Sequence, residues 1–524
     1  MKDLQPILTD SSDFPELRKK GCVYVDKTAF FYQIITGMNA RFFLSRPRRF
    51  GKSLMISTLK AIFQGRRELF DGLAISKTDW KWEKYPVIHF NFINAAASTV
   101  EEFKQLFMLE VKRGITEAGG TFDAQYSATG NFAVSIDELS AKNDGEGVVI
   151  LVDEYDAPVA RLLDKPDDAE EIRGLLADFY SQMKDRTGRI RFLMITGVSK
   201  FTKMSVFSAL SNLTDISMKD AYATMLGYTE TELDRYFDGH LRAHAKMMKK
   251  PYDEYREELK FWFNGYRFGK GDVETVYNPV SIGVNLASPE VAFQSCWSST
   301  GKASMLMNYL KRKDFLSVDM DGVKKVRERD FDVTDLRNLK TVPMLYQAGY
   351  LTIDKYDGNT GMFTLRVPDE EVRQDLATLM TAVAAGQDTT WVSEIGTYLL
   401  DGEWDGFFTG LKSLYASLPY GAKEKSVHEF SFERNLLILL WSQGMRCTAE
   451  DRQSNGQADI VAVHPCGVFI FELKVDESAD EALEQVKKKG YDEPYRGRNL
   501  PIWLIGLNFN GKTRRLKDAK AEKL

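Results

Sequence analysis

Gly51, Lys52 and Ser53 stand together at the end of the stretch SRPRRFGKSL, positions 45–54, directly after the apolar run ARFFL and before SLMISTLKAIF. A glycine, a lysine and a hydroxyl in that order, between a strand-like run and a helix-like run, are what phosphate binding needs. Backbone N–H groups and the helix start converge on phosphate, the lysine reaches the terminal phosphates, and the hydroxyl holds a magnesium ion. The pattern G-x-x-x-x-G-K-[ST] asks for its first glycine where Arg46 stands. Pro47 supplies a fixed φ in place of a glycine's freedom. Arg46, Arg48 and Arg49 add positive charge, and Phe50 and Leu54 complete the stretch expected to wrap a nucleotide.

A second element lies about a hundred residues on. GVVILVDEYD is an apolar strand that ends in acids: Asp153 is placed to hold the magnesium through water, and Glu154 to polarise an attacking water. A third strand end, MITGVSK at 194–200, puts Thr196, Ser199 and Lys200 where a polar sensor of the terminal phosphate belongs. Asp156 suits either a turn cap or the wall of the site.

A separate constellation sits near the C-terminus. Asp459 opens the strand ADIVAV, and Glu472 and Lys474 lie two apart in FELKV, hence on one face of a strand. Two carboxylates and a lysine sharing a pocket can hold one or two magnesium or manganese ions that activate water against a phosphodiester. Charges inside an otherwise apolar run need such a partner, because burying one alone costs several kcal/mol. Glu429 and Glu433, spaced i, i+4 on a helix, are candidates for a further metal ligand; pairing with Arg434 or a surface lysine is the alternative. Gln485 belongs to a helix able to reach the same pocket, and Lys487, Lys488 and Lys489 suit a phosphate backbone. Residues 481–524 carry 11 Lys or Arg against 6 Asp or Glu, the local positive charge that nucleic acid requires.

These residues need particular elements behind them. Strand runs at 40–45, 85–92, 147–154 and 189–197 alternate with helical stretches such as EEFKQLFMLEVKRGI and EEIRGLLADFYSQMK, which predicts a parallel α/β sheet with helices on both faces over residues 1–220. Residues 221–390 read as mainly helical, with TETELDRYFDGHLRAHAKMM and KASMLMNYLKRKDF as helices. A helix and hairpin across DGNTG at 342–368 have the form of a winged-helix element. Residues 391–524 return to α/β in the order αβββαβ.

The chain has 524 residues, 44% hydrophobic and 28% charged, with a net charge of -5, which suits a soluble multidomain protein and excludes a wholly basic nucleic-acid coat. No apolar run approaches a membrane span and no leader is seen, so a cytoplasmic protein without a membrane partner is expected. Cys22, Cys296, Cys447 and Cys466 form no C-x-x-C pair, against a zinc site. His240 and His244 read as a solvated helix face.

Taken together, YVDKT, RPRRFGKSL, LVDEYDAPV, ITGVSKFTKMSVFSALSNLTDIS, MLGYTETEL, FNGYRFG, VYNP, LYQAGYLTI, GQADIVAV and FELKV give a chain that resembles bacterial and archaeal proteins with an N-terminal AAA-ATPase-like domain and a C-terminal PD-(D/E)XK nuclease domain, with a restriction-endonuclease-like fold. In that family RPRRFGKS is the usual form of the loop. The resemblance implies Lys52 and Ser53 for ATP and magnesium, Asp153 and Glu154 for the acidic strand end, and Asp459, Glu472 and Lys474 for the nuclease. Ala458 replaces the proline of the motif's name, and Gln457 stands where the family more often has arginine. The expected activities are ATP binding and hydrolysis coupled to metal-dependent cleavage of nucleic acid, DNA ahead of RNA. Further copies of the chain are expected partners, and Arg267 is a candidate arginine finger. The rival reading is a STAND-like signalling ATPase whose C-terminal domain binds without cutting.

Overall fold

The computed structural model describes residues 4–200, 210, 212–287, 293, 295–296, 324–331, 336, 340–417, 429–453, 456–498 and 500–524. The chain separates into two compact units, one made of Met1–Cys296 and Met320–Asp369, the other of Trp297–Asp319 and Glu370–Leu524. The boundary at 369/370 falls inside the stretch 221–390 that the sequence treats as one region.

In the first unit the apolar runs form β1 (Arg41–Ser45), β2 (Val87–Asn91), β3 (Val148–Asp153) and β4 (Ile190–Gly197), joined by the short β5 (Thr214–Asp215). All pairings are parallel and the strand order is β2-β3-β4-β1-β5. Every residue of β3 is buried, which explains a run without alternation. Crossover helices Lys52–Phe63, Val100–Glu117, Ala128–Lys142 and Pro166–Ser181 pack on the sheet. Their starts are locally encoded, for instance by Thr99, whose side chain accepts from Glu102 N. The strand order sets the C-terminal ends of β3, β4 and β1 side by side, so β4 ends between the glycine-lysine loop and the acidic strand.

The middle of this unit is helical. Glu230–Met247, Tyr252–Phe263 and Pro279–Ala287 share a core that includes Leu233, Phe237, Tyr255, Phe263 and Ile282. The expected solvated histidine face is not present: His240 is half-buried, with Nε2 2.9 Å from Gln5 O, and His244 is buried and bonded to Tyr255 Oη at 2.9 Å, because one helix face carries Leu241, His244 and Ala245 inward. β6 (Asn264–Tyr266) and β7 (Val276–Tyr277) form a small ribbon. The helix Thr341–Ala348 precedes the hairpin of β9 (Thr352–Asp357) and β10 (Met362–Arg366). A third strand, β8 (Lys324–Arg327), pairs with β10. KKVR lacks any apolar alternation, so nothing in its letters marks it as a strand. The segment KASMLMNYLKRKDF lies outside the described residues.

The second unit carries helices Glu370–Ala385, Thr389–Asp401, Trp404–Ser417 and Glu429–Ser442, then β11 (Arg446–Gln453), β12 (Gly456–His464) and β13 (Gly467–Val475). The helix Ala479–Lys489 crosses to β14 (Ile502–Phe509), and β15 (Leu516–Lys523) follows. Strand order is sequential, antiparallel except for β13 with β14. The αβββαβ order is present, with β15 added at the edge; its letters LKDAKAEK are too polar to announce a strand. One sheet face, with Phe469, Phe471 and Leu473, packs on the four helices, and the other, with Val468 and Ile470, packs on Leu483 and Val486 of the crossover helix. Gly506 allows that helix close approach, since a Cβ there would lie 2.3 Å from Ala479 O.

Candidate functional site

The loop between β1 and the helix Lys52–Phe63 turns on Gly51, at φ 87, the left-handed conformation a glycine adopts without strain. Arg49 adopts φ 68 beside it. Lys52 is buried, and its Nζ donates to Arg46 O and Pro47 O, each at 3.1 Å. The same ammonium lies 3.6 Å from Glu154 Oε1. Thus the lysine of the loop and the acid after β3 meet in one ion pair, as the strand order demands.

Arg46 does something other than add charge at phosphate. Its side chain is 1% exposed, with Nη1 on Ser217 O at 2.6 Å and on Ser45 O, Nη2 on Tyr222 O at 3.1 Å, and the guanidinium 4.2 Å above the Phe268 ring. Burial lowers its pKa to about 10. The residue in the glycine's place is therefore a brace under the loop. Phe50 is likewise buried, edge-on to Tyr266 and Phe268. Arg49, Phe50, Gly51, Lys52, Ser53 and Leu54 line a cavity of about 320 Å³ together with Glu154; Arg48 is half-buried.

On the acidic side, Thr196 Oγ1 donates to Asp153 Oδ1 at 2.6 Å, at the end of β4. Glu154 has φ 51, a strained value for a residue with a side chain. Asp156 accepts from Val198 N, Ser199 N and Ser199 Oγ, at 3.2, 2.7 and 2.6 Å. Burial, then the charge of Glu154, raises the Asp156 pKa. Lys200 pairs with Asp215 at 2.9 Å. Arg267 is committed to Asp354 O and Gly271 O within its own unit.

The far wall of the cavity comes from segments to which no role was attached in sequence. Tyr24, Val25 and Lys27 of YVDKT, Leu226, Gly227 and Tyr228 of MLGYTETEL, and Pro279 at the end of VYNP converge there, with Ile7 to Ser12. The signal existed as unexplained short motifs; only folding shows that they share one space. A largely apolar chamber beside a phosphate-type loop fits a nucleotide with its base in the chamber.

In the second unit, Ile460 pairs with Phe471, so Asp459 stands opposite Glu472. Asp459 Oδ2 accepts Leu473 N at 2.7 Å, Lys474 Nζ lies 3.4 Å from Glu472 Oε1, and Gln485 Nε2 donates to the same Oε1. Glu472 is 2% exposed, and its Oε2 is buried without a hydrogen-bond partner. Burial, then Asp459, pushes its pKa up to about 7. An orphaned carboxylate oxygen beside a second carboxylate fits a divalent cation, which would neutralise both. Among the described residues, no group of three or more His, Cys, Asp or Glu makes a metal cluster. Glu433 is buried on the helix Glu429–Ser442, and the Glu429 side chain lies outside the described residues. Lys487 pairs with Glu522 at 2.6 Å, while Lys488 and Lys489 are exposed.

Residues 10–207 match the predicted AAA-ATPase family, and residues 428–519 match the PD-(D/E)XK nuclease superfamily. An uncharacterized protein of the vnfD 5' region of Azotobacter chroococcum mcd 1 is 32% identical over 506 residues, spanning 94% of this chain and 93% of that one. The chain belongs to this AAA-ATPase-like, PD-(D/E)XK family. No solved structure matches it. The AAA-ATPase-like match covers the loop and both neighbouring strand ends, and the nuclease-superfamily match covers Asp459, Glu472, Lys474 and Gln485. Among the described residues no helix is long and apolar enough to cross a membrane.

Proposed function

We propose that the first unit binds and hydrolyses ATP and that the second cleaves phosphodiester bonds of nucleic acid, DNA ahead of RNA, with nucleotide occupancy controlling cleavage. The observation that carries the nuclease reading is Glu472 Oε2, buried without a partner opposite Asp459. A fold keeps such an atom only at a cost of roughly 1–3 kcal/mol or more, which points to a ligand.

At the nucleotide site Lys52 exchanges the Arg46 and Pro47 carbonyls for the terminal phosphates. The loop N–H groups and the helix start hold the phosphates, and Ser53 and Asp153 are the residues to hold a magnesium ion. Thr196 keeps Asp153 oriented, and Glu154, set by its unusual φ, takes the proton of the attacking water. The apolar chamber of Tyr24, Leu226 and Tyr228 excludes water from the base.

At the nuclease site Asp459 and Glu472 are the residues to hold magnesium or manganese. Bound there, the metal would lower the pKa of water and stabilise charge on the phosphorane. Lys474 orients the nucleophile and offsets negative charge, and Gln485 fixes the Glu472 rotamer. Lys488 and Lys489 meet the phosphate backbone.

The test is incubation of the purified full chain with magnesium or manganese and single- and double-stranded DNA and RNA, with Glu472→Ala as control. Cleavage lost in the variant supports the reading. Binding without cleavage in both proteins overturns it in favour of a signalling ATPase with a nucleic-acid-binding end. The control of cleavage by nucleotide fails if Lys52→Ala cuts DNA as the parent does, with and without ATP.

A further inference from the structure

The chain leaves the first unit after Cys296 and again after Asp369. Both exits are fastened to the glycine-lysine loop by contacts inside the first unit. Arg49 of the loop donates from Nη1 to the Cys296 carbonyl. The second fastening runs through residues 264–269, the letters NGYRFG. Phe50 meets Tyr266 and Phe268 edge-on with ring centroids 4.7 and 5.1 Å away, and Arg46 lies over Phe268. One residue from Tyr266, Gly265 touches the exit itself: a Cβ there would sit 1.9 Å from Pro368 O. Arg366 clamps the two together, with Nη2 on Gly265 O at 3.0 Å and Nη1 on Val367 O and Pro368 O at 3.0 and 2.8 Å.

Residues 264–269 are also anchored sideways. Tyr266 Oη donates to Gly349 O at 2.9 Å and Arg267 N to Thr352 Oγ1 at 2.8 Å, which fixes them to the end of the helix Thr341–Ala348 and to β9. Tyr266 and Phe268 are buried, and close-packed rings transmit displacement because no void absorbs it.

We propose that residues 264–269 transmit phosphate binding at the loop to the Arg366–Pro368 exit, with Arg366 as the positioning residue at the receiving end. The inference rests on the nucleotide reading of the loop. A ligand shifts a conformation only through contacts that differ between its states. Here the differing contact is the Lys52 ammonium, which holds Arg46 O and Pro47 O until phosphate takes it. Those carbonyls lie three and four residues before Phe50. Releasing them resets the loop, Phe50 carries the change into the Tyr266 and Phe268 rings, and Gly265 passes it to Pro368. Arg49 delivers the same change to the Cys296 exit.

Amide hydrogen exchange on the full chain, with and without a non-hydrolysable ATP analogue and magnesium, tests this. In the parent, analogue should slow exchange by about threefold or more over residues 46–55 and change it over 364–369. In Arg366→Lys, the loop should stay protected while the response at 364–369 is lost. The Arg366 side chain is 41% exposed, so the fold tolerates the change, and an unaltered melting curve verifies that. Gly265→Ala should alter exchange at 364–369 with no analogue present. Protection of the loop with 364–369 unmoved in the parent, or a response that survives in Arg366→Lys, overturns the relay alone. A loop left unprotected in the parent overturns the relay and the nucleotide reading together.

Discussion

Lys52 Nζ lies 3.6 Å from Glu154 Oε1, joining the loop after β1 to the acid after β3 although a hundred residues separate them in sequence. On the proposed function, the pair is where nucleotide binding and nucleotide chemistry part. Lys52→Ala should abolish ATP binding. Glu154→Gln should keep binding and slow hydrolysis by about 10²-fold or more, the usual share of a general base. Fluorescent-nucleotide titration beside phosphate release separates the two. Equal loss of both in Glu154→Gln would remove it from the chemistry.

Arg46→Gly restores the letters of the G-x-x-x-x-G-K-[ST] pattern and should nonetheless damage the protein. It removes the Arg46 bonds to Ser217 O and Tyr222 O and the contact with Phe268, and takes the guanidinium donor from the buried Ser217 carbonyl. A loss on the order of 3 kcal/mol is expected in chemical denaturation. A variant as stable as the parent would show the brace to be dispensable.

Metal binding has a readout that needs no substrate. Glu472 Oε2 is buried without a partner, so manganese or magnesium should raise the melting temperature of the unit that holds it. Glu472→Gln should abolish that rise. The same variant, in chelator, should melt no lower than the parent, because it removes a carboxylate that burial disfavours.

The first unit should weaken in mild acid through His89. Burial, then the charges of Lys60 and Arg113, depresses its pKa to about 4. With the unfolded imidazole titrating near its ordinary 6.5, the unfolded state takes up the proton first as pH falls. The contribution is whole above pH about 6.5, is lost between about 6.5 and 4, and levels off below. Urea melts of His89→Gln across that window should show a shallower acid slope than the parent. Parallel slopes would exclude His89 as the cause.

The elements were legible wherever their pattern follows from the strand's own letters. GVVILVDE announced β3 with its terminal acids, and FELKV announced a charged face on β13, since burial and alternation are local. What stayed hidden depends on distant partners. Nothing in SRPRRFGKSL tells that Arg46 turns under the loop, because Ser217, Tyr222 and Phe268 come 171 and more residues later. The apolar chamber was hidden likewise, its walls being short stretches that lie far apart in the chain. β5, β8 and β15 escaped because they are two residues long, or polar, at a sheet edge.

β15 has a consequence of its own. It ends the sheet of the second unit with LKDAKAEK, five of whose eight residues are charged, three lysines against two acids. An unpaired strand edge invites a copy of itself, and lysines spaced along it make that copy repel. Lys520 is held by Asp480 and Lys523 lies over Trp503, so these cations also keep fixed places. The polarity that hid this strand from sequence inspection thereby guards against strand-swapped aggregates, and a variant with Lys517, Lys520 and Lys523 made threonine should precipitate at concentrations the parent tolerates.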